Sequence, residues 1–187
     1  MELKTFQSGL SNRNLNDTAA SLLGFLLTEP KSGWDIVQDV EASIGYFWNL
    51  TRSQVYRELR SLGEAGLVEV GETGARDRRP YAITDAGREA FFAWLKKEPG
   101  LDIVRMQGLL KFFFGDYLDE ETLRRFVTVQ KIKHERHLAY FKEILPAVEA
   151  EHPICGHTLR FGIRHEEAML EWLDELPLVA ARANSSP

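Results

Sequence analysis

Six arginines, Arg52, Arg57, Arg60, Arg76, Arg78 and Arg79, dominate the chemistry available to residues 51–80. A guanidinium is a planar fork of donors that fits the two acceptors on guanine's major-groove edge, or a phosphate. Gln54 can pair with adenine, and the hydroxyls of Thr51, Ser53 and Tyr56 can anchor phosphates. Val55, Leu59 and Leu62 recur at helical spacing. With those three turned to a core, a 100° step per residue puts Ser53, Arg57 and Arg60 on the opposite surface, flanked by Arg52, Gln54 and Tyr56. The plain alternative is a solvated helix that happens to carry arginines. The second cluster shifts that balance, because Arg76, Arg78 and Arg79 crowd into one turn with only Asp77 between them.

The elements that must hold these residues can be read from apolar spacing and helix signals. Asp17 is placed to cap a first helix with Ala20, Leu22, Leu23, Leu26 and Leu27 inside, stopping near Glu29 and Pro30. Ser32 precedes a second, with Trp34, Ile36, Val37, Val40 and Ile44, closed by Gly45. Thr51 caps the arginine-bearing third helix. Residues 67–70 and 80–83 are β-prone runs around a Gly-containing turn and read as a hairpin with the arginines at its tip. Thr84 and Asp85 start a fourth helix, with Phe91, Trp94 and Leu95, that ends near Pro99 and Gly100. A basic hairpin beside a basic helix is the geometry of a winged helix-turn-helix.

Beyond Gly100 the pattern is helical throughout. Residues 101–117, with Leu109, Leu110, Phe112, Phe113 and Phe114, are apolar on more than one side and should be buried against several partners. Residues 120–145 form the longest helical run. Leu123, Val127, Gln130, His134, Leu138, Phe141 and Leu145 trace a heptad-like seam along it, read as a dimerisation surface whose two polar members fix register. Pro146 and Pro153 mark a break, and a last helix spans residues 156–176. The expected fold is therefore mainly α: a winged-helix domain over residues 1–98, a helical dimerisation and effector domain over 99–180, and a frayed tail over 181–187.

Charge sets a condition on any nucleic-acid role. The 187 residues carry 23 Lys+Arg against 28 Asp+Glu, a net charge of −5. Bulk attraction to DNA is excluded, so binding must depend on a local cluster. The longest apolar stretches fall far short of the ~20 residues of a membrane span. The polar first sixteen residues lack an export signal, and the single cysteine, Cys155, suits a reducing cytoplasm.

Several residues in order resemble the PadR-like transcriptional regulators. Leu22-Leu23-Gly24-Phe25-Leu26-Leu27 and Ser32-Gly33-Trp34-Asp35-Ile36 match the family's opening pattern. Phe47-Trp48, Ser53 to Leu59, Gly66-Leu67-Val68, the Arg-rich wing and Tyr81 to Arg88 continue it over about 70 residues. Leu110-Lys111, Gly156-His157 and Glu171-Trp172-Leu173 resemble the branch with the longer helical C-terminal region. The resemblance implies a dimeric repressor that binds a palindromic operator and is released by a small, often aromatic, effector. Two positions depart from the pattern. Arg57 stands where Pro or a small residue is frequent, and Trp34 stands where Tyr is frequent and offers no hydroxyl.

Trp34, Trp48 and His157 are the candidate effector contacts, weighed against core packing for the tryptophans and a backbone-bonded histidine. His134, Glu135 and His137 have the wrong spacing for a zinc-protease helix, so no metal is expected. Cys155 reads as a small packed hydrophobe, with oxidation sensing as the alternative. Neither a phosphate loop nor a nucleophile elbow is present, so no enzyme and no cofactor is expected. The rival to a DNA-binding regulator is an interaction adaptor that keeps a winged-helix shape without touching DNA.

Overall fold

The computed structural model describes residues 15–72, 79–101 and 104–176. They fall into two compact units, one ending at Leu101 and the other following it.

The first unit runs α1 (Asp17–Phe25), β1 (Lys31–Ser32), α2 (Gly33–Ala42), α3 (Arg52–Glu64), β2 (Val68–Val70), β3 (Pro80–Ile83) and α4 (Asp85–Leu95). Each of its four helices starts on a side-chain cap. Asn16 accepts from the Ala19 amide, Ser32 and Thr51 form reciprocal capping boxes with Asp35 and Gln54, and Thr84 accepts from Gly87. Asp17, expected as the first cap, is instead the first helical residue. Its carboxylate accepts from Trp94 Nε1 at 2.9 Å and ties α1 to α4. Leu22, Leu23 and Leu26 meet Ile36, Val37 and Val40 from α2, Val55, Leu59 and Leu62 from α3, and Phe91 from α4 in one core.

The sheet has three strands in the order β1-β3-β2, all antiparallel. The hairpin forms as expected, with Val68 opposite Ile83 and Val70 opposite Tyr81. The extra strand is β1, where Lys31 pairs with Tyr81. Lys31 also bonds Asp39 at 2.7 Å and pairs with Glu29 at 3.2 Å, and the Asp39 bond holds its ammonium above the ordinary lysine value.

The second unit contains α5 (Gln107–Phe113), a 3₁₀ turn (Gly115–Tyr117), α6 (Glu120–Glu151) and α7 (Pro153–Glu175). Three expectations fail here. The helix expected over 101–117 shortens to seven residues, none of them buried; Leu109, Leu110, Phe113 and Phe114 are exposed. Seven residues beside one helix pair have partners for a single flank, where Phe112 meets Trp172 edge-on at 5.2 Å. The break at Pro146 does not occur, since α6 continues through it to Glu151. Glu149 in that last turn bonds Arg160 and lies against Gly156 of α7, which holds the turn despite the lost backbone bond. Pro153 starts α7 instead of interrupting the chain, because the first helical position needs no amide hydrogen.

The seam of α6 is partly covered within the chain. Val127 and Phe141 are buried within the single chain, Leu138 and Leu145 are half-buried, and the seam faces α7 of the same chain at several points. His134 meets Glu166, Lys131 meets Asp174 and Lys142 meets Glu167, so the two helices run antiparallel. A Cβ on Gly162 would stand 3.1 Å from the Phe141 ring, and its absence lets the helices approach closely. Leu123 packs at Gly115, and Gln130 reaches Gly108. His134 and Phe141 of the seam are thus engaged by α7 of the same chain, and Leu123 and Gln130 by the segment before α6. Among the described residues no helix is long and apolar enough to cross a membrane.

Candidate nucleic-acid interface

The capping box of Thr51 and Gln54 fixes where α3 begins, and its buried stripe fixes which way it faces. Val55, Leu59 and Leu62 are buried, while Arg52, Ser53, Tyr56, Arg57 and Arg60 are exposed. Three guanidiniums and two hydroxyls therefore share the outer surface of one helix, and Arg52 and Arg60 have no ion-pair partner among the described residues.

Arg57 is held differently. Its Nε and Nη2 donate to Glu58 Oε1 at 3.4 and 3.3 Å. The other oxygen of Glu58 accepts from Asn16 Nδ2 at 3.3 Å, so Glu58 joins the cap of α1 to the arginine row. Sequence reasoning passed over Glu58 because neighbours one apart on a helix do not ordinarily face each other.

Gln54 departs from its expected role. Its Oε1 accepts from the Thr51 amide at 2.9 Å and from the Thr51 hydroxyl at 2.8 Å, closing the capping box. A two-point contact with adenine needs that oxygen as well as the amide nitrogen, so Gln54 as positioned serves the helix start. Thr51 accepts in turn from the Gln54 amide and shares a hydrogen bond with Ser53. The Thr-x-x-Gln spacing from Thr51 to Gln54 was a legible capping signal that the base-reading assignment overlooked.

Of the wing arginines, Arg79 is exposed at the foot of β3. Arg76 and Arg78 lie outside the described residues. Trp34 is exposed on α2, whereas Trp48 packs against the core with its Nε1 buried and without a hydrogen-bond partner among the described residues. His157 is exposed on α7 in the second unit, near Glu149. The Glu149 carboxyl is held below its ordinary value by the Arg160 bond first, with His157 a lesser contributor. Cys155 is exposed and not packed as expected, because the first turn of α7 projects it outward. Among the described residues no cluster of His, Cys, Asp and Glu can hold a metal ion.

A three-helix core, a β-hairpin and an exposed arginine-bearing helix behind a capped turn define a winged helix-turn-helix, here followed by a helical unit. Residues 22–93 match the transcriptional regulator PadR-like family, and residues 104–177 match the virulence activator alpha C-terminal region. The chain belongs to the PadR-like family; it is a transcriptional regulator and not an enzyme. It is 28% identical over 176 residues to the probable transcriptional regulator Rv1176c of Mycobacterium tuberculosis, covering 83% of this chain and 93% of that protein. The structure of the Vibrio cholerae virulence activator AphA is similar at 30% identity and a TM-score of 0.63, over 84% of this chain and 94% of that one. The negative transcriptional regulator PadR of Bacillus subtilis is 25% identical over 169 residues, covering 83% of this chain and 93% of that protein. It has been solved in complex with operator DNA, with a TM-score of 0.66 to this chain, and in complex with p-coumaric acid, with a TM-score of 0.60.

Proposed function

We propose that this regulator is a cytoplasmic homodimeric repressor that binds a palindromic DNA operator through α3 and the hairpin and is released by a small aromatic effector. The observation that carries the reading is the outer face of α3, where Arg52, Arg57 and Arg60 stand beside Ser53 and Tyr56, opposite a fully buried stripe. Arginines there suit base edges and phosphates, and the hydroxyls suit phosphates. Arg76, Arg78 and Arg79 at the hairpin provide the second contact, on flanking backbone. The operator complex of the Bacillus subtilis relative supports the same role for this chain.

Two copies would set their α3 helices in successive major grooves, about one helical turn apart, so operator symmetry mirrors protein symmetry. The apolar residues left exposed in the second unit, Leu110, Phe113, Phe114 and Phe161 among them, support pairing between copies. The p-coumaric acid complex of that relative supports an aromatic effector for this chain. An effector acts only by preferring one arrangement of the two reading heads over the other.

The test is duplex binding at graded salt, followed by addition of aromatic acids. A DNA reader loses affinity steeply as salt rises, and a releasing effector lowers operator affinity at fixed salt. Absence of any salt-dependent duplex binding would leave the adaptor reading in place.

A further inference from the structure

Gly33 opens α2 and is buried, and the ring of Tyr56 from α3 lies directly over it. A Cβ at position 33 would stand 2.6 Å from Cε1 of Tyr56 and 2.9 Å from Cζ, the atom that bears the hydroxyl. Carbon atoms in contact settle at about 3.5–4.0 Å, so any side chain at position 33 must push the ring away by roughly 1 Å. The ring is nonetheless 45% exposed, seated at one edge and open to solvent at the other.

The seat is rigid on both sides. Ser32 and Asp35 close the first turn of α2, with the Ser32 amide donating to Asp35 at 3.1 Å and the Asp35 amide to Ser32 at 3.3 Å. Thr51 and Gln54 close the first turn of α3 in the same way. The gap between the two helix starts is held by the core, where Ile36, Val37 and Val40 of α2 pack with Val55 and Leu59 of α3, so the half-exposed ring moves in preference to the helices.

We propose that Gly33 is a positioning residue for DNA binding: by lacking a side chain it seats the Tyr56 ring where its hydroxyl meets the DNA backbone beside the arginine row. This rests on the DNA-binding reading above. A phenolic hydroxyl is uncharged and its hydrogen bond is directional, so a shift of roughly 1 Å loses that bond while the attraction of the arginines for phosphate persists.

The test uses the full chain and a duplex that the wild-type protein enriches from a random-sequence library. Gly33→Ala is expected to weaken binding to that duplex roughly tenfold, as Tyr56→Phe does, and to add nothing in the Tyr56→Phe background. A purely structural role would act through the ring or the fold, and would reduce binding again in that background. That outcome, or wild-type affinity for Gly33→Ala, overturns the inference and leaves the DNA reading intact. If Gly33→Ala melts early, Gly33→Ala with Tyr56→Ala has room for the Cβ. The double variant must then bind as Tyr56→Ala alone, and weaker binding overturns the inference. If the wild-type chain enriches no duplex, the DNA reading fails and the inference falls with it.

Discussion

Glu166 of α7, with no exposed surface, faces His134 of α6: Oε2 lies within hydrogen-bond reach of His134 Nδ1, and Oε1 is 3.3 Å from His137 Nδ1. A buried carboxylate needs partners of this kind, because stripping it of water without them is costly. Removing one member of a buried pair costs about 3–5 kcal/mol. The imidazole of His134 keeps 14% exposure and that of His137 keeps 52%, which lowers the figure here. Glu166→Ala should destabilise the helical unit by about 2–3 kcal/mol, and His137→Ala by under about 1 kcal/mol, in denaturant unfolding. A larger loss for His137→Ala than for His134→Ala would contradict this geometry.

Trp48 poses the opposite case, a buried donor without an acceptor among the described residues. Trp48→Phe keeps most of the ring packed on the core and removes the unpaired N–H, so stability should change by less than about 1 kcal/mol. Trp48→Ala empties the site and should lose about 2–4 kcal/mol, toward the low end because the ring is only half-buried. Thermal unfolding of both variants checks the ordering; equal losses would show that the indole N–H is paired after all.

Asp119 caps α6 by accepting from the Thr122 amide at 2.7 Å, and that bond above all holds its carboxyl below the ordinary aspartate value. A depressed folded-state value means that the stabilisation is fully present above the unfolded value of about 3.9 and is lost as pH falls through the folded one. Asp119→Asn keeps an acceptor but cannot titrate. The stability of the wild type relative to Asp119→Asn should therefore hold above about pH 5 and shrink as pH falls from there through the folded value. A constant difference across that range would rule out the cap as the source.

Much of the first unit was legible because its signals are local. Ser32, Thr51 and Thr84 announced their helices by cap chemistry, and Val55, Leu59 and Leu62 fixed the buried side of α3 by spacing alone. Strand β1 was not legible, since Lys31 and Ser32 are polar, only two residues long, and become a strand only when β3 lies beside them. The α6 seam was legible, but its intrachain contacts with α7 were not: a heptad-like pattern shows that a face is covered, not whether the covering helix comes from the same chain. Gln54 and Glu58 were misjudged for a related reason. Their side chains turn along the helix surface to Thr51, Arg57 and Asn16, contacts that residue spacing does not encode.

The central claim, that the outer face of α3 binds DNA, is tested most directly by the salt dependence of duplex binding for the wild type, Arg52→Ala and Arg60→Ala, with Arg136→Ala and Arg164→Ala on the helical unit as controls. Each lost phosphate contact should lower the slope of log affinity against log salt by about 0.9, and a lost base contact should cost about 1–3 kcal/mol for the preferred duplex only. The α3 variants should show one or both effects, and the controls neither. Equal, sequence-independent binding by all five proteins would contradict the assignment of α3 as the DNA-reading helix.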